Sequence, residues 1–229
     1  MASISVHAQP GIAAVKENWR PFLLIQGLAL TVLVVYYTVP PVRLAAESLA
    51  HAKQAGGLAL SALTTVIASV GLPALAKRLV GGRAWSRADI IFQICYFAVV
   101  GVIVDQLYRQ LGQVFGTEVS LATVAKKLAF DLGFFCVFVS IPLTTVLFAW
   151  KDGRYQRRGM MELLSRGGFA HRYWPVLITC WAFWGPVLSA VYAMPPDLQF
   201  WLYLFTQAAW SLLLMGISAR HIEIEPVVP

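Results

Sequence analysis

Four long stretches of this chain carry no Asp, Glu, Lys or Arg. They are residues 21–42, 54–76, 173–196 and 198–219. A helix needs roughly 20 apolar residues to cross the hydrocarbon core of a bilayer. Every one of these stretches is longer than that, so each reads as a membrane span. Composition points the same way. The chain is 59% hydrophobic and 13% charged, against roughly 45–50% and 25% for a soluble domain. One soluble globule of this length cannot hide that much apolar surface. A soluble enzyme, a disordered chain and a coiled coil are excluded on this ground. The continuous apolar runs also argue against a β-barrel, whose strands alternate in polarity.

Six spans are predicted, at residues 21–42, 56–76, 88–111, 128–150, 173–194 and 198–219. The third contains Asp105, and the fourth opens on Lys127 and Asp131. In a four-span alternative these two lie along the interface. The expected fold is therefore an all-α polytopic transmembrane helical bundle. Residues 1–20 form an N-terminal segment, 21–219 a single helical domain and 220–229 a short tail. The first apolar run starts too late for a cleaved secretory signal.

Lys and Arg set the expected orientation. With six spans, thirteen of the eighteen basic residues fall on the side that holds both ends of the chain. That side is then cytoplasmic or matrix-like, and Trp19, Trp85, Trp150 and Trp174 belt its interface. The connection 151–172 is strongly basic, with apolar positions at Met160, Met161, Leu163 and Leu164. It reads either as a solvated loop or as a short interfacial helix on an anionic surface. The net charge of +7 is explained by this flanking, so nucleic acid is not an expected partner. The lipid bilayer is.

Charged groups inside the spans need a reason, since each costs on the order of 2.5–3.5 kcal/mol at mid-membrane. Asp105 and Arg109 are four apart, as are Lys127 and Asp131, so each pair is expected to bond within its own helix. Together they form a candidate polar vestibule or gate. Interface snorkelling and a proton relay are the alternatives. In the second span Gly57, Ser61, Thr65 and Ser69 recur every four residues. Such a stripe of small residues either packs a neighbouring helix closely or lines a hydroxyl-walled pore. Gly185, Ser189 and Ala193 make a similar stripe that faces the first in one arrangement. Pro142 and Pro186 lie mid-span and free the carbonyls of Phe138 and Ala182 from α-helical bonding, which favours kinks.

No catalytic set is visible. The four histidines are scattered over termini and loops, and Cys95, Cys136 and Cys180 lie in apolar segments without C-x-x-C spacing. They read as buried thiols, with no metal, cofactor or enzymatic activity expected.

From about Ser86 to Ser218 the chain resembles the twenty-two-kilodalton peroxisomal membrane protein family, which includes Mpv-type and Sym-type proteins of the mitochondrial inner membrane. The segment G-V-I-V-D-Q-L-Y keeps that family's Gly and Tyr at Gly101 and Tyr108, with Asp105 where the family has His. K-L-A-F-D-L keeps Lys127 and Asp131 and has Leu132 in place of Gln. W-A-F-W-G-P keeps Trp181 and Trp184, with the Pro one place later at Pro186. V-Y-A-M-P-P keeps an aromatic at Tyr192 and a Pro at Pro195, and Gln199 replaces the family's Arg. Trp210 and Ser218 follow in the last span. The resemblance implies an integral mitochondrial inner-membrane or peroxisomal protein, a bacterial cytoplasmic membrane being the alternative. Some members of that family behave as weakly selective, gated pores, so a small gated channel for small solutes or ions is the leading expectation. The competing expectation is a non-conducting assembly or scaffold protein, a homo-oligomer or a binder of partner helices, through the same stripes.

Overall fold

The computed structural model describes residues 2–79, 85–157, 161, 163 and 168–224, with side chains from residue 7 to residue 212 within that set. The described residues contain seven principal helices: α1 (Ala2–Glu17), α2 (Trp19–Thr38), α3 (Pro40–Leu79), α4 (Arg87–Phe115), α5 (Leu121–Asp152), α6 (Gly168–Tyr192) and α7 (Pro196–Ile224). No strand occurs among the described residues. Helices α2 to α6 are each long and apolar enough to cross a membrane, and α7 carries the sixth expected run. The protein is an all-α, multi-pass membrane protein of five to six spans.

Local chemistry sets the ends of these elements. Val39, directly before Pro40, is extended at φ −114° and ψ 98°, because the proline ring disfavours helical geometry in its predecessor. The first span therefore stops at Thr38, and a new helix starts on Pro40. Ser86 caps α4 by accepting from the Asp89 amide at 3.1 Å, and Ser120 caps α5 through the Thr123 amide at 3.2 Å. Gly116 ends α4 at φ +95°.

Two departures from the expected pattern matter. The stretch 43–55, expected to be a loop, is helical and runs into the second span. The two legs of α3 meet at Gly57, whose φ of +51° and ψ of −142° break the helix. The second departure is π-helical winding at Ile67–Gly71 and Asp131–Ser140. Each π stretch ends two residues before a proline, Pro73 and Pro142 respectively. Proline removes a donor and crowds the carbonyl one turn back, and a wider turn takes up that crowding. Of the connection 151–172, its ends belong to α5 and α6, and residues 158–160, 162 and 164–167, with Met160 and Leu164 of the candidate interfacial helix, lie outside the described residues.

The chain divides into two compact units. One comprises residues 1–27 and 118–193, with α1, the start of α2, α5 and α6. Phe183, Val187, Val191 and Leu177 are fully buried in it, and Phe22 meets Phe183 edge-on at 5.3 Å. Gly11 of α1 lies against α6, where a Cβ would come within 2.7 Å of the Pro175 Cα. The other unit comprises residues 28–117 and 194–229, with the rest of α2, α3, α4 and α7. Within it α3 packs along α4, and α7 covers both.

Candidate functional site: a buried charge cluster at a broken helix

Asp105 lies on the inner face of α4 and is 4% exposed. Its Oδ2 accepts from the Lys53 ammonium at 2.9 Å and from the Ser61 hydroxyl at 3.0 Å. Its Oδ1 accepts from Arg109 Nε at 3.4 Å. The Lys53 side chain is as enclosed as the carboxylate, whereas that of Arg109 is half exposed. Lys53 Nζ also reaches the Gly57 carbonyl at 3.5 Å and stands 5.1 Å from the Phe200 ring centre, a cation–π distance. Two cations thus share one anion.

The break in α3 makes this geometry available. The backbone angles at residue 57 lie in the left-handed half of the map, where any residue but glycine is strained. The turn at Gly57 leaves its carbonyl free to accept from Lys53 and from Ser61, the latter at 3.1 Å. Trp201 of α7 holds the first leg, donating from Nε1 to the Leu49 carbonyl at 2.8 Å. Broken helices are tolerated at membrane depth where protein or a polar cavity meets the freed backbone.

The stripe Gly57, Ser61, Thr65, Ser69 is resolved in detail. Gly57 plays no part in close packing, because a Cβ there meets nothing within 4 Å; its role is conformational. Ser61, Thr65 and Ser69 are buried. The small residue at the contact belongs to the other helix: a Cβ on Gly101 would lie 2.5 Å from both the Ser61 carbonyl and Thr65 Oγ1. Ser69 accepts from Gln207 Nε2 of α7 at 3.1 Å, and the same amide reaches Ser211 at 3.2 Å. The second stripe also packs within its own unit, with Gly185 facing Leu132 of α5 across 3.8 Å from its Cβ position.

Asp131 departs from expectation. It does not bond to Lys127. Its oxygens accept from the Tyr192 hydroxyl on α6 and, at 3.7 Å, from the Cys136 thiol. Lys127 is buried as well, so the i, i+4 spacing places both residues inside without joining them. The Asp131 N–H still bonds the Lys127 carbonyl, so the spacing is α-helical, and the carboxylate instead takes the Tyr192 hydroxyl across the contact with α6. Each carboxylate of the expected four-residue cluster is thus bonded within its own unit.

The mid-span prolines find compensation too. Pro186 frees the Ala182 carbonyl, and the Gln26 amide of α2 donates to Ala182 and Phe183 at 2.9 and 3.0 Å. For Pro142 the freed group is Val137 rather than Phe138, because the π register looks five residues back. The Tyr173 hydroxyl donates to that carbonyl at 2.8 Å. Trp181 Nε1 bonds the Leu132 carbonyl at 2.9 Å. Trp184 meets Phe183 edge-on, and Tyr108 is buried edge-on to Tyr203 at 6.1 Å. Pro195 opens the last helix, its carbonyl accepting from Leu198. Gln199 is buried and donates to the Met194 carbonyl at 3.1 Å. Trp210 is half-buried on α7.

Lys53 is the residue that sequence reasoning misses. The charge pattern places it in a loop, yet it directly precedes the second charge-free run and stands four residues before Gly57. Among the described residues no group of three or more His, Cys, Asp or Glu side chains is placed to hold a metal ion. No family model, no curated protein and no solved structure matches the chain.

Proposed function

We propose that this membrane protein is a small channel whose polar path runs through the α3–α4–α7 unit, with the Lys53–Asp105–Arg109 cluster as its gate. The observation that carries the reading is the buried cluster itself. An ion pair enclosed among membrane-spanning helices at a broken helix is costly, and such sites mark ion and solute pathways. Beyond it, Ser61, Thr65, Ser69 and Gln207 continue as a column of buried polar side chains. The eight helical steps from Ser61 to Ser69 cover about 12 Å. The Thr65 hydroxyl in that column is buried without a hydrogen-bond partner among the described residues, a donor that water or a polar solute would satisfy. Opening the path requires the Lys53 ammonium to leave Asp105, for which the Gly57 hinge supplies the freedom. The resemblance to the peroxisomal and mitochondrial membrane protein family, some members of which behave as pores, agrees with this reading and suggests an organellar inner or peroxisomal membrane. We read the chain as non-enzymatic.

Flux from proteoliposomes tests the proposal. The native protein is expected to release small ions or neutral solutes above protein-free vesicles, and Asp105→Asn is expected to change the rate or the charge preference. No flux over a range of voltages and solutes overturns it.

One observation favours a second reading. The hydroxyl stripe is filled by Gly101 and Gln207, which is what helix packing alone would produce. A non-conducting assembly protein would then co-purify with a membrane partner in mild detergent and show no flux.

A further inference from the structure

Cys136, on the π-helical stretch of α5, and Cys180, on α6, place their sulfur atoms 4.0 Å apart across 44 positions of sequence. A disulfide needs an S–S separation of about 2.05 Å, so closure asks for a movement of about 2 Å. On its other side the Cys136 thiol donates to Asp131 Oδ1. Cys136 is buried, while Cys180 is only half-buried and is the more accessible of the two. Cys95 is exposed and belongs to the other unit.

We propose that Cys136 and Cys180 are a modification site, closed to an intramolecular disulfide by membrane-permeant hydrogen peroxide, with Asp131 as the proton acceptor. The Cys180 sulfur attacks one peroxide oxygen. An S–O bond forms, the O–O bond breaks, and the departing hydroxide takes the thiol proton and leaves as water. Cys136 then passes its proton to Asp131, and its sulfur attacks the sulfenic sulfur of Cys180. The S–S bond forms, the S–O bond breaks, and the released hydroxide recovers the proton from Asp131 as a second water. Two thiols lose two electrons, and one peroxide becomes two waters. The new bond ties the π stretch of α5 to α6 beside the packed side chains of Ile141, Tyr173 and Leu177.

The test uses the full-length chain carrying Cys95→Ser in proteoliposomes, so that only these two thiols remain. Hydrogen peroxide is added, and thiols are counted with a maleimide after denaturation. Linked peptides are mapped by mass spectrometry. Both thiols are expected to disappear together, with a Cys136–Cys180 linked peptide, a monomeric chain without reductant, and full recovery with dithiothreitol. Asp131→Asn is expected to slow closure on the order of tenfold or more while dimedone-trappable sulfenic acid at Cys180 builds up. Cys180→Ser reads the same point without touching Asp131, and there Cys136 should stay a free thiol. Over-oxidised Cys180 beside an intact Cys136 overturns the proposal. So do disulfide-linked dimers, or two intact thiols under excess peroxide.

Discussion

Lys53 and Asp105 are 52 positions apart in the chain, and their Nζ and Oδ2 atoms meet at 2.9 Å inside the protein. Breaking a buried pair from one side leaves an uncompensated charge, at a cost of about 3–5 kcal/mol. Asp105→Asn leaves Lys53 with only the Gly57 carbonyl and the Phe200 face. Lys53→Met leaves Asp105 with Ser61 and the half-exposed Arg109, so it should cost less. The double variant should regain a large part of the loss. Thermal unfolding in detergent measures all three, and simple addition of the two single effects would show that the residues are not coupled.

Gly101 and Gly27 make a matched pair of helical glycines. Gly101→Ala pushes a methyl into the Ser61 backbone and Thr65, so overpacking should cost about 1–3 kcal/mol. At Gly27 an added Cβ meets nothing, and Ala is the better helix former by up to about 1 kcal/mol. Unfolding midpoints in the same detergent should fall for the first and hold or rise for the second.

Gln26→Leu should destabilise by about 1–3 kcal/mol, the cost of a buried carbonyl left without a donor. Its size should depend on Pro186. In a Pro186→Ala background residue 186 itself regains a backbone N–H, which can donate to the Ala182 carbonyl. Gln26→Leu should then cost little. A double-mutant cycle that shows equal costs in both backgrounds rejects this account of the proline.

Asp131 should be coupled to Tyr192 more strongly than to Lys127. Tyr192→Phe and Asp131→Asn each remove one side of the same hydrogen bond, so the double variant should lose less than the sum, by about 0.5–3 kcal/mol. Lys127→Ala combined with Asp131→Asn should show a smaller coupling, since the two side chains share no hydrogen bond. The same detergent melts decide both cycles, and coupling to Lys127 of the size expected for Tyr192 would contradict the geometry.

The membrane spans were legible because charge-free runs long enough to cross a bilayer have few other homes. Asp105 and Arg109 were legible as a pair because i, i+4 spacing holds wherever the helix is regular. Lys53 was not, since its partner comes from a different helix and its own helix reads as a connection, Arg43, Glu47 and Lys53 breaking the charge-free runs on either side. Gly57 was noticed for the wrong property. Spacing showed that it was small, but only the backbone shows that it needs a positive φ. Asp131 and Lys127 failed as a pair because spacing puts two side chains on one face without choosing their partners, and Asp131 takes a hydroxyl from a residue 61 positions further along the chain.

The π winding over Asp131–Ser140 has a consequence for how α5 presents itself. Each π turn takes up one more residue than an α turn, so the helix falls progressively out of phase with a wheel drawn from its start. Residues after Ser140 point in directions that the sequence before Asp131 does not forecast. A one-residue deletion within Asp131–Ser140 would therefore be taken up by winding one π turn back to an α turn, leaving the second half of the span facing as before, whereas the same deletion in a regular stretch would swing everything downstream by about 100°.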